Sequence, residues 1–598
     1  MRSASATIIM CGIFGYVGAQ RDAREAVLEG LKRLEYRGYD SWGIAVEAGG
    51  IISVDKHVGL VGHDAGMLPK ACVGIGHTRW ATHGKVTDVN AHPHYSRDKT
   101  FVLAHNGIVE NAPALKSALE KKGHSFLSET DSEVIVRLVE ERRKKSKSLE
   151  EAVRIAFKEL EGRNTVILLS KSGDIIAARN GSPLVLGIAA GPEIYLSSDV
   201  FSCAPHVRSI LVLDNGQMIV CRDSTITLSK IDTGKMIKPV YEKNLLKDVT
   251  VSKNGYDHFM LKEIHEAPFV IRQVVKEPDV SYLALARAIK KARRVYTIGS
   301  GTAGTAAAQI AFYLRLYGGI DAKELIGAEA YEYENLFGKG DIVIAPSQSG
   351  ETADVLEVLE IAHKKKATIA SFVNMPGSMM TRMSEHKFTA NAGPEICVMS
   401  TKIFVSQISW GYLVAKAVQG RITEGKRKLR SLANVVQKML ADENYANILK
   451  EHAQRLSKSE HLYILGKGQN LAITREAMVK IIEGSYVHAH AIAAGDLKHY
   501  AITLMEPGVS VIALISNDEV RPSVLNAIHE VRARGASVFG IAPANDPNFD
   551  FFLEVPDTKE TSAILNIIPL QLLAYYMTVA LGHNVDKPRN IAKSVTVK

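Results

Sequence analysis

The stretch Arg294-Val295-Tyr296-Thr297-Ile298-Gly299-Ser300-Gly301 returns later in the chain as His461-Leu462-Tyr463-Ile464-Leu465-Gly466-Lys467-Gly468. Each is a short apolar run ending on glycine, the pattern of a buried strand that turns into a helix. The copies stay in step. Val343-Ile344-Ala345, followed by a helical pattern ending at Lys364-Lys365-Lys366-Ala367, is matched by Val511-Ile512-Ala513 and Arg532-Ala533-Arg534-Gly535. Short strands alternating with amphipathic helices predict parallel strands with crossover helices on both faces, hence two doubly wound parallel-sheet α/β domains. Ligands in such sheets bind beyond the carboxyl ends of the strands.

The loops at those ends differ between the copies. In the first, Ser347-Gln348-Ser349-Gly350-Glu351-Thr352 lies between the predicted strand Ile342 to Ala345 and a helix starting near Ala353. Hydroxyls and backbone N–H groups at a helix N-terminus make a phosphate site that needs no lysine; Ser347 as a plain helix cap is the other reading. The matching stretch of the second copy, Ile515-Ser516-Asn517-Asp518-Glu519-Val520, carries acids that repel phosphate. Copy one is therefore the expected binder, and copy two a scaffold or a catalytic contributor. Lys480 and Glu483 are three apart on a helical face, where an exposed ion pair is the ordinary outcome.

The N-terminal half opens differently, with Met10-Cys11-Gly12-Ile13-Phe14-Gly15-Tyr16-Val17-Gly18. Removal of Met10 leaves Cys11 with a thiol and a free α-amine of reference pKa about 8, a nucleophile with its own base. A cysteine buried on a first strand is the alternative. Downstream, His77-Thr78-Arg79-Trp80-Ala81-Thr82-His83-Gly84 follows an apolar strand, and its arginine offers a fork suited to a carboxylate. Phe101 to Ala104 runs into His105-Asn106-Gly107, where an amide beside a glycine N–H suits an oxyanion, or simply a turn. Asp131 can hold an ammonium group or cap the helical pattern from Val134. Together these describe a site for an amino acid attacked at its side-chain carbonyl.

Those four elements, in that order over roughly the first 240 residues, resemble the N-terminal-nucleophile (Ntn) glutamine amidotransferases. The resemblance implies an αββα sandwich. It makes Cys11 the nucleophile on glutamine, and it has Arg79 and Asp131 bind the substrate's carboxylate and amine. Asn106 and Gly107 would form the oxyanion hole, Trp80 a gate over an ammonia passage, and Thr82 and His83 a closing loop. The repeated half resembles the sugar isomerase (SIS) domains. The whole is similar to the family that joins the two and aminates fructose 6-phosphate with nitrogen from L-glutamine. Val398-Met399-Ser400-Thr401-Lys402, Leu497-Lys498-His499 and the ending Pro588 to Val597 also carry it.

By the same likeness, Thr302, Ser347, Gln348, Ser349 and Thr352 would hold the phosphate, with Val398, Ser400, Lys480 and Ala592 also lining the sugar site. Lys593 would form a Schiff base with the ketone, His499 would assist ring opening, and Glu483 would move the proton between C1 and C2. A homodimer built through the isomerase halves is implied, and no metal or redox cofactor. Ala303, His490 and Tyr500-Ala501 depart from the family's usual serine, glutamate and Gly-Pro, around the expected sugar pocket. The segments expected are 11–235 for the glutaminase and 250–430 and 445–598 for the SIS domains.

Composition agrees with a catalyst of small molecules. The chain has 598 residues, room for roughly three to four domains. Five scattered cysteines without a Cys-x-x-Cys pair argue against a disulfide framework and a zinc site, and fit a reducing cytoplasm best. The net charge of +9 is spread along the chain, so nucleic acid is not an expected partner, while sugar phosphates benefit from the overall field. The longest apolar stretch, Ile564 to Leu581, contains Asn566, Pro569 and Gln571 and reads as a core helix, not a membrane span. Residues 1–9 would block the Cys11 amine. Translation from Met10 is the expected reason, with a cleaved propeptide as the alternative. An amidotransferase of purine precursor synthesis would need paired acids after a strand, which are absent. A non-catalytic sugar-phosphate sensor would not need Glu483, His499 and Lys593.

Overall fold

Strand Gly12–Val17 is apolar on both faces because both are covered. Ile13 and Val17 point into one core while Phe14 and Tyr16 point into another, the two-residue alternation of a pleated strand. The computed structural model describes residues 11–64, 66–222, 225–244, 252–591 and 593.

The N-terminal half stacks two antiparallel sheets. The first runs Glu242–Lys243, Ser209–Val212, Val185–Ile188, Ile194–Ser197, Gly12–Val17, Val73–Arg79, Ser41–Ala48, Ile51–Val58. The second includes Gln217–Arg222, Ile175–Asn180, Asn164–Ser170 and Phe101–Gly107 side by side. Ile13, Ile75, Val102, Ala104 and Ile167 fill the space between them. Helix Ala23–Leu34 covers the first sheet against Phe14 and Tyr16, and helices Asp131–Arg143 and Leu149–Phe157 cover the second against Phe101 and Leu103. This is the expected four-layer αββα sandwich, and its sheets continue to Glu242–Lys243.

The repeat is visible in the topology. Both later sheets are wholly parallel, with the same strand order. One runs Ala322–Ile326, Val295–Gly299, Ile342–Ser347, Thr368–Val373, His386–Thr389; the other runs His488–Ala493, His461–Gly466, Ser510–Leu514, Ser537–Ala542, Phe551–Glu554. The two copies share one core, in which Ile310, Ile473 and Ile564 belong to a single cluster. Helix Gly301–Leu316 of the first copy packs on helix Leu471–Ser485 of the second.

Helix Ser562–Ala580 is apolar and long enough to cross a membrane, yet 83% of that stretch is buried within the protein. Its polar residues have partners: Asn566 donates to Asn470 Oδ1 (3.0 Å) and Ser516 Oγ (3.2 Å), and Gln571 donates to the Thr401 carbonyl (3.1 Å). Burial of those amides costs little once they are bonded, which is why the run tolerates them.

The sandwich docks on the first SIS domain through a buried ion pair. Arg179, wholly buried on strand Ile175–Asn180, lies 3.5 Å from Glu351 in the loop after strand Ile342–Ser347. Burial raises the Glu351 carboxyl pKa even though Arg179 opposes that shift. Removing one member of a buried pair strands the other in a dry interface. Arg179→Ala should lower unfolding free energy by about 3 kcal/mol, whereas the double variant Arg179→Met, Glu351→Gln should recover much of the loss. Urea denaturation of the four proteins of this cycle is the measurement.

Candidate active site

The pairing of Gly12 with Thr78 sets Cys11 beside Arg79 and Trp80 at the edge of the first sheet. The Trp80 N–H donates to Cys11 Sγ at 3.3 Å. Cys11 is half-buried as a residue, but burial pushes its thiol pKa up to about 11, against the Trp80 N–H and the Arg79 charge, which favour the thiolate. A thiol so placed stays protonated at neutral pH and needs a base in order to react.

Asn106 comes from the end of the second sheet and donates to the Cys11 carbonyl at 3.0 Å. His77 holds that amide in place, with Nε2 3.2 Å from Asn106 Oδ1 and 3.0 Å from the His105 carbonyl. Burial drives the His77 pKa down to about 3, so the ring is neutral and Nε2 donates. Gly107 follows with φ +135°, and a Cβ there would meet the Arg163 carbonyl at 2.1 Å, so only glycine fits.

Asp131 is the first residue of its helix; the cap is Thr130, whose hydroxyl accepts from the Glu133 N–H. The capping role weighed for Asp131 therefore falls to its neighbour. The Asp131 carboxylate accepts from the Val109 N–H at 2.9 Å, and its charge is felt by both Cys11 and Arg79. Arg79 spends donors on the carbonyls of His83 (2.6 Å), Gly84 (3.3 Å) and Lys85 (3.3 Å), which shapes the loop containing Thr82 and His83. Those two residues are largely exposed and touch each other at 3.2 Å.

A second centre forms around Lys593. Its ammonium is buried, ion-paired with Glu395, and donates to the Cys397 carbonyl at 2.7 Å. Lys593 also lines a cavity between the halves, together with Tyr36, Arg37 and Asp199 of the sandwich and Gln348, Ser349 and Glu351 of the SIS loop. Helix Ala353–Lys364 is capped at Thr352, not Ser347, and the Thr352 side chain makes no capping bond. Ser347 and Ser349 instead accept from the N–H groups of Gly350 (2.9 Å) and Glu351 (3.1 Å), folding the loop on itself. Gly350 has φ +66° and a Cβ there would meet Ser378 Oγ at 2.1 Å.

Copy two contributes through helix Leu471–Ser485. Lys480 is wholly buried, not on an exposed face, and pairs with Glu483 and, at 3.5 Å, with Glu476. Burial pushes the Glu476 pKa up to about 7 against the pull of Lys480. Thr302 and Thr305 donate to its two oxygens at 3.0 and 2.6 Å. The Thr302 hydroxyl expected at a phosphate is thus committed to a carboxylate across the inter-copy contact. Val398 donates its N–H to the Asp586 carbonyl at 3.0 Å, and Ser400 donates to Glu395 at 2.8 Å.

His499 is exposed on the turn Leu497–His499, and among the described residues its ring has no hydrogen-bond partner. His490 and Tyr500, expected around the sugar, lie elsewhere. His490 lines an open groove with His461 and Tyr463 on the edge of the second sheet, and Tyr500 is exposed. An edge strand has its outer side open to solvent, which chain position alone does not reveal. Ala592 and Met10 lie outside the described residues.

The tail that carries Lys593 touches both halves. Lys587 pairs with Glu35 at 2.6 Å, and Tyr39 donates to the Pro588 carbonyl at 3.2 Å. The Tyr39 ring meets Trp80 edge-on at 5.0 Å. A continuous line of contacts thus runs from the tail to the Cys11 thiol.

Comparison with known proteins agrees with both centres. A glutamine amidotransferase domain matches residues 10–208, and SIS domains match 288–417 and 455–581. Glutamine–fructose-6-phosphate aminotransferase [isomerizing] of Thermococcus kodakarensis is 36% identical over 608 residues, covering 98% of this chain and all of the relative. The protein of that name from Pyrobaculum aerophilum is 37% identical over the same shares. The chain belongs to the isomerizing glutamine–fructose-6-phosphate aminotransferase family. Among solved structures, the C-terminal domain of glucosamine-fructose-6-phosphate aminotransferase from Francisella tularensis superposes with a TM-score of 0.51 and 28% identity, over 56% of this chain and all of that one.

Within this family frame, sequence reasoning missed Glu395 and His77 as site residues. Glu395 stands alone between Pro394 and Ile396, and only folding shows that it faces Lys593. His77 sits in the motif that was read, and its Nε2 contacts give it a purpose. The buried thiol leads to a measurable expectation. Iodoacetamide should label Cys11 far more slowly than exposed Cys72 at pH 7, and the Cys11 rate should rise about tenfold per pH unit towards pH 10, as followed by peptide mass mapping.

Proposed function

We propose that this chain hydrolyses L-glutamine in its N-terminal half and passes the ammonia internally to fructose 6-phosphate, releasing glutamate and glucosamine 6-phosphate. The observation that carries this reading is the tail. Lys593 sits in the cavity between the halves beside the Ser347–Thr352 loop, while Pro588 contacts Tyr39, which contacts Trp80 next to Cys11.

Cys11, freed of Met10, attacks the glutamine amide, and its α-amine takes the thiol proton that the dry site otherwise retains. Asn106 and Gly107 stabilise the oxyanion once the amide turns from the Cys11 carbonyl to the substrate. Arg79 and Asp131 take the substrate's α-carboxylate and α-amine, and Thr82 and His83 ride on the loop that closes over it. Trp80 gates the passage.

At the second centre, Ser347, Gln348, Ser349 and Thr352 take the phosphate, with Thr302 at its margin. Lys593 takes C2 as an imine, and Glu483, steadied by Lys480, moves the proton between C1 and C2. Val398, Ser400 and Ala592 line the sugar, and His499, exposed to solvent, is the group assigned to ring opening. The working unit is a cytoplasmic homodimer with a glutaminase at 11–235 and SIS domains at 250–430 and 445–598.

Two measurements test the reading. Purified protein given both substrates should yield glucosamine 6-phosphate and glutamate in equal amounts, and Lys593→Ala should abolish the sugar product while glutamine hydrolysis continues. Protein shown by mass spectrometry to begin at Cys11 should release glutamate, whereas protein retaining Met10 should lose at least about a thousandfold of that activity. Full amide cleavage with Met10 in place would refute the proposed role of the amine.

A further inference from the structure

Among the described residues, Lys593 has two polar partners, the Glu395 carboxylate and the Cys397 carbonyl, and both are acceptors. As the cationic partner of Glu395 in this ion pair, Lys593 must lose a proton before its nitrogen can add to a ketone. The site itself supplies an acceptor. Glu395 is buried and immobilised: one oxygen accepts from the Thr401 (2.9 Å) and Ile403 (3.1 Å) N–H groups, while the other takes Ser400 and Lys593. Nothing bulkier than a proton separates the Glu395 oxygen from the nitrogen that reacts.

Behind this pair stands a second carboxyl with no assigned purpose. Glu263 is fully buried on helix Phe259–His265. One of its oxygens accepts from the Ile396 and Cys397 N–H groups, and the other has no hydrogen-bond partner among the described residues. Burial first, and then the Glu395 charge, push its pKa up to about 8. The same charge balance, dominated by Lys593, overcomes burial to keep Glu395 ionised. Nearby Lys402 is spoken for by Glu266 (2.7 Å) and the Ala392 carbonyl (2.8 Å). The cluster therefore holds one carboxylate facing one ammonium, with a neutral acid at its back.

We propose that Glu395 is the acid–base catalyst of imine formation at Lys593. The proposal rests on the reading of Lys593 as the imine-forming residue. Glu395 takes a proton from the Lys593 ammonium as the freed nitrogen lone pair adds to C2 of the open ketose, and the carbonyl π pair moves to oxygen. A second proton passes from nitrogen to that oxygen, giving a neutral carbinolamine. The C–O bond then breaks as nitrogen forms the iminium, and Glu395 returns its proton to the departing hydroxide, which leaves as water. One water is released, and Glu395 ends as it began.

The decisive experiment traps the imine. Wild-type enzyme, fructose 6-phosphate and borohydride should add a reduced hexose phosphate to the peptide containing Lys593, read by mass spectrometry. In Glu395→Gln the trapping rate should fall by about a hundredfold or more. Glu395→Asp should recover part of the rate, because a carboxylate is restored at a longer reach. Should E395Q fail to fold, E395D alone carries the test through an expected slowing of about tenfold. Trapping at the wild-type rate in the folded variant, or a change in sugar affinity alone, overturns the role of Glu395. If Lys593→Ala still makes amino sugar, the imine reading falls instead, and the two failures are told apart.

Discussion

A buried ammonium near the end of the chain holds the two chemistries together. Lys593 is taken from water into a dry cavity, which is costly unless its charge is paired and its protons are bonded. Glu395 and the Cys397 carbonyl meet that requirement, so the tail has a strong reason to lie where it does. Once there, Lys587 and Pro588 meet the sandwich at Glu35 and Tyr39, and Asp586 caps helix Phe259–His265 through the Phe259 and Met260 N–H groups. One segment thereby reports on the sugar site, the isomerase core and the wall of the glutaminase.

The same dryness governs the glutaminase centre, with opposite consequences. Burial keeps the Cys11 thiol protonated and the His77 ring neutral. A neutral histidine can fix an amide without adding a competing charge, and a thiol kept protonated by burial needs a base before it can react. Arg79 is neither idle nor free, since the loop carbonyls already occupy part of its fork. Loop shape and the charge acting on the Cys11 thiol are thus tied to one guanidinium.

Docking of the halves depends on a charge pair as well. Arg179 belongs to the sandwich and Glu351 to the SIS loop, and neither is exposed. The loop that folds around Ser347 and Ser349 is consequently anchored by the glutaminase half, in addition to its own sheet.

Periodicity and internal repetition made much of this legible in advance. Strands apolar on both faces, such as Gly12–Val17, announce layers above and below, and the recurrence of Val295–Gly299 as His461–Gly466 announces paired parallel sheets, because local pattern follows from which faces must leave water. Linear motifs likewise marked Cys11, Arg79, Asn106, Gly107 and the Ser347 loop. Partners distant in the chain were not legible. That Thr302 bonds Glu476, that Glu395 faces Lys593, and that His490 shares an edge groove with His461 are outcomes of packing. Sequence by itself determined the layers, the repeat and the reactive residue types, since these are set by hydrophobic period and side-chain chemistry. Tertiary structure alone decided protonation and pairing, because desolvation and the distance between charges exist only after the chain has closed on itself.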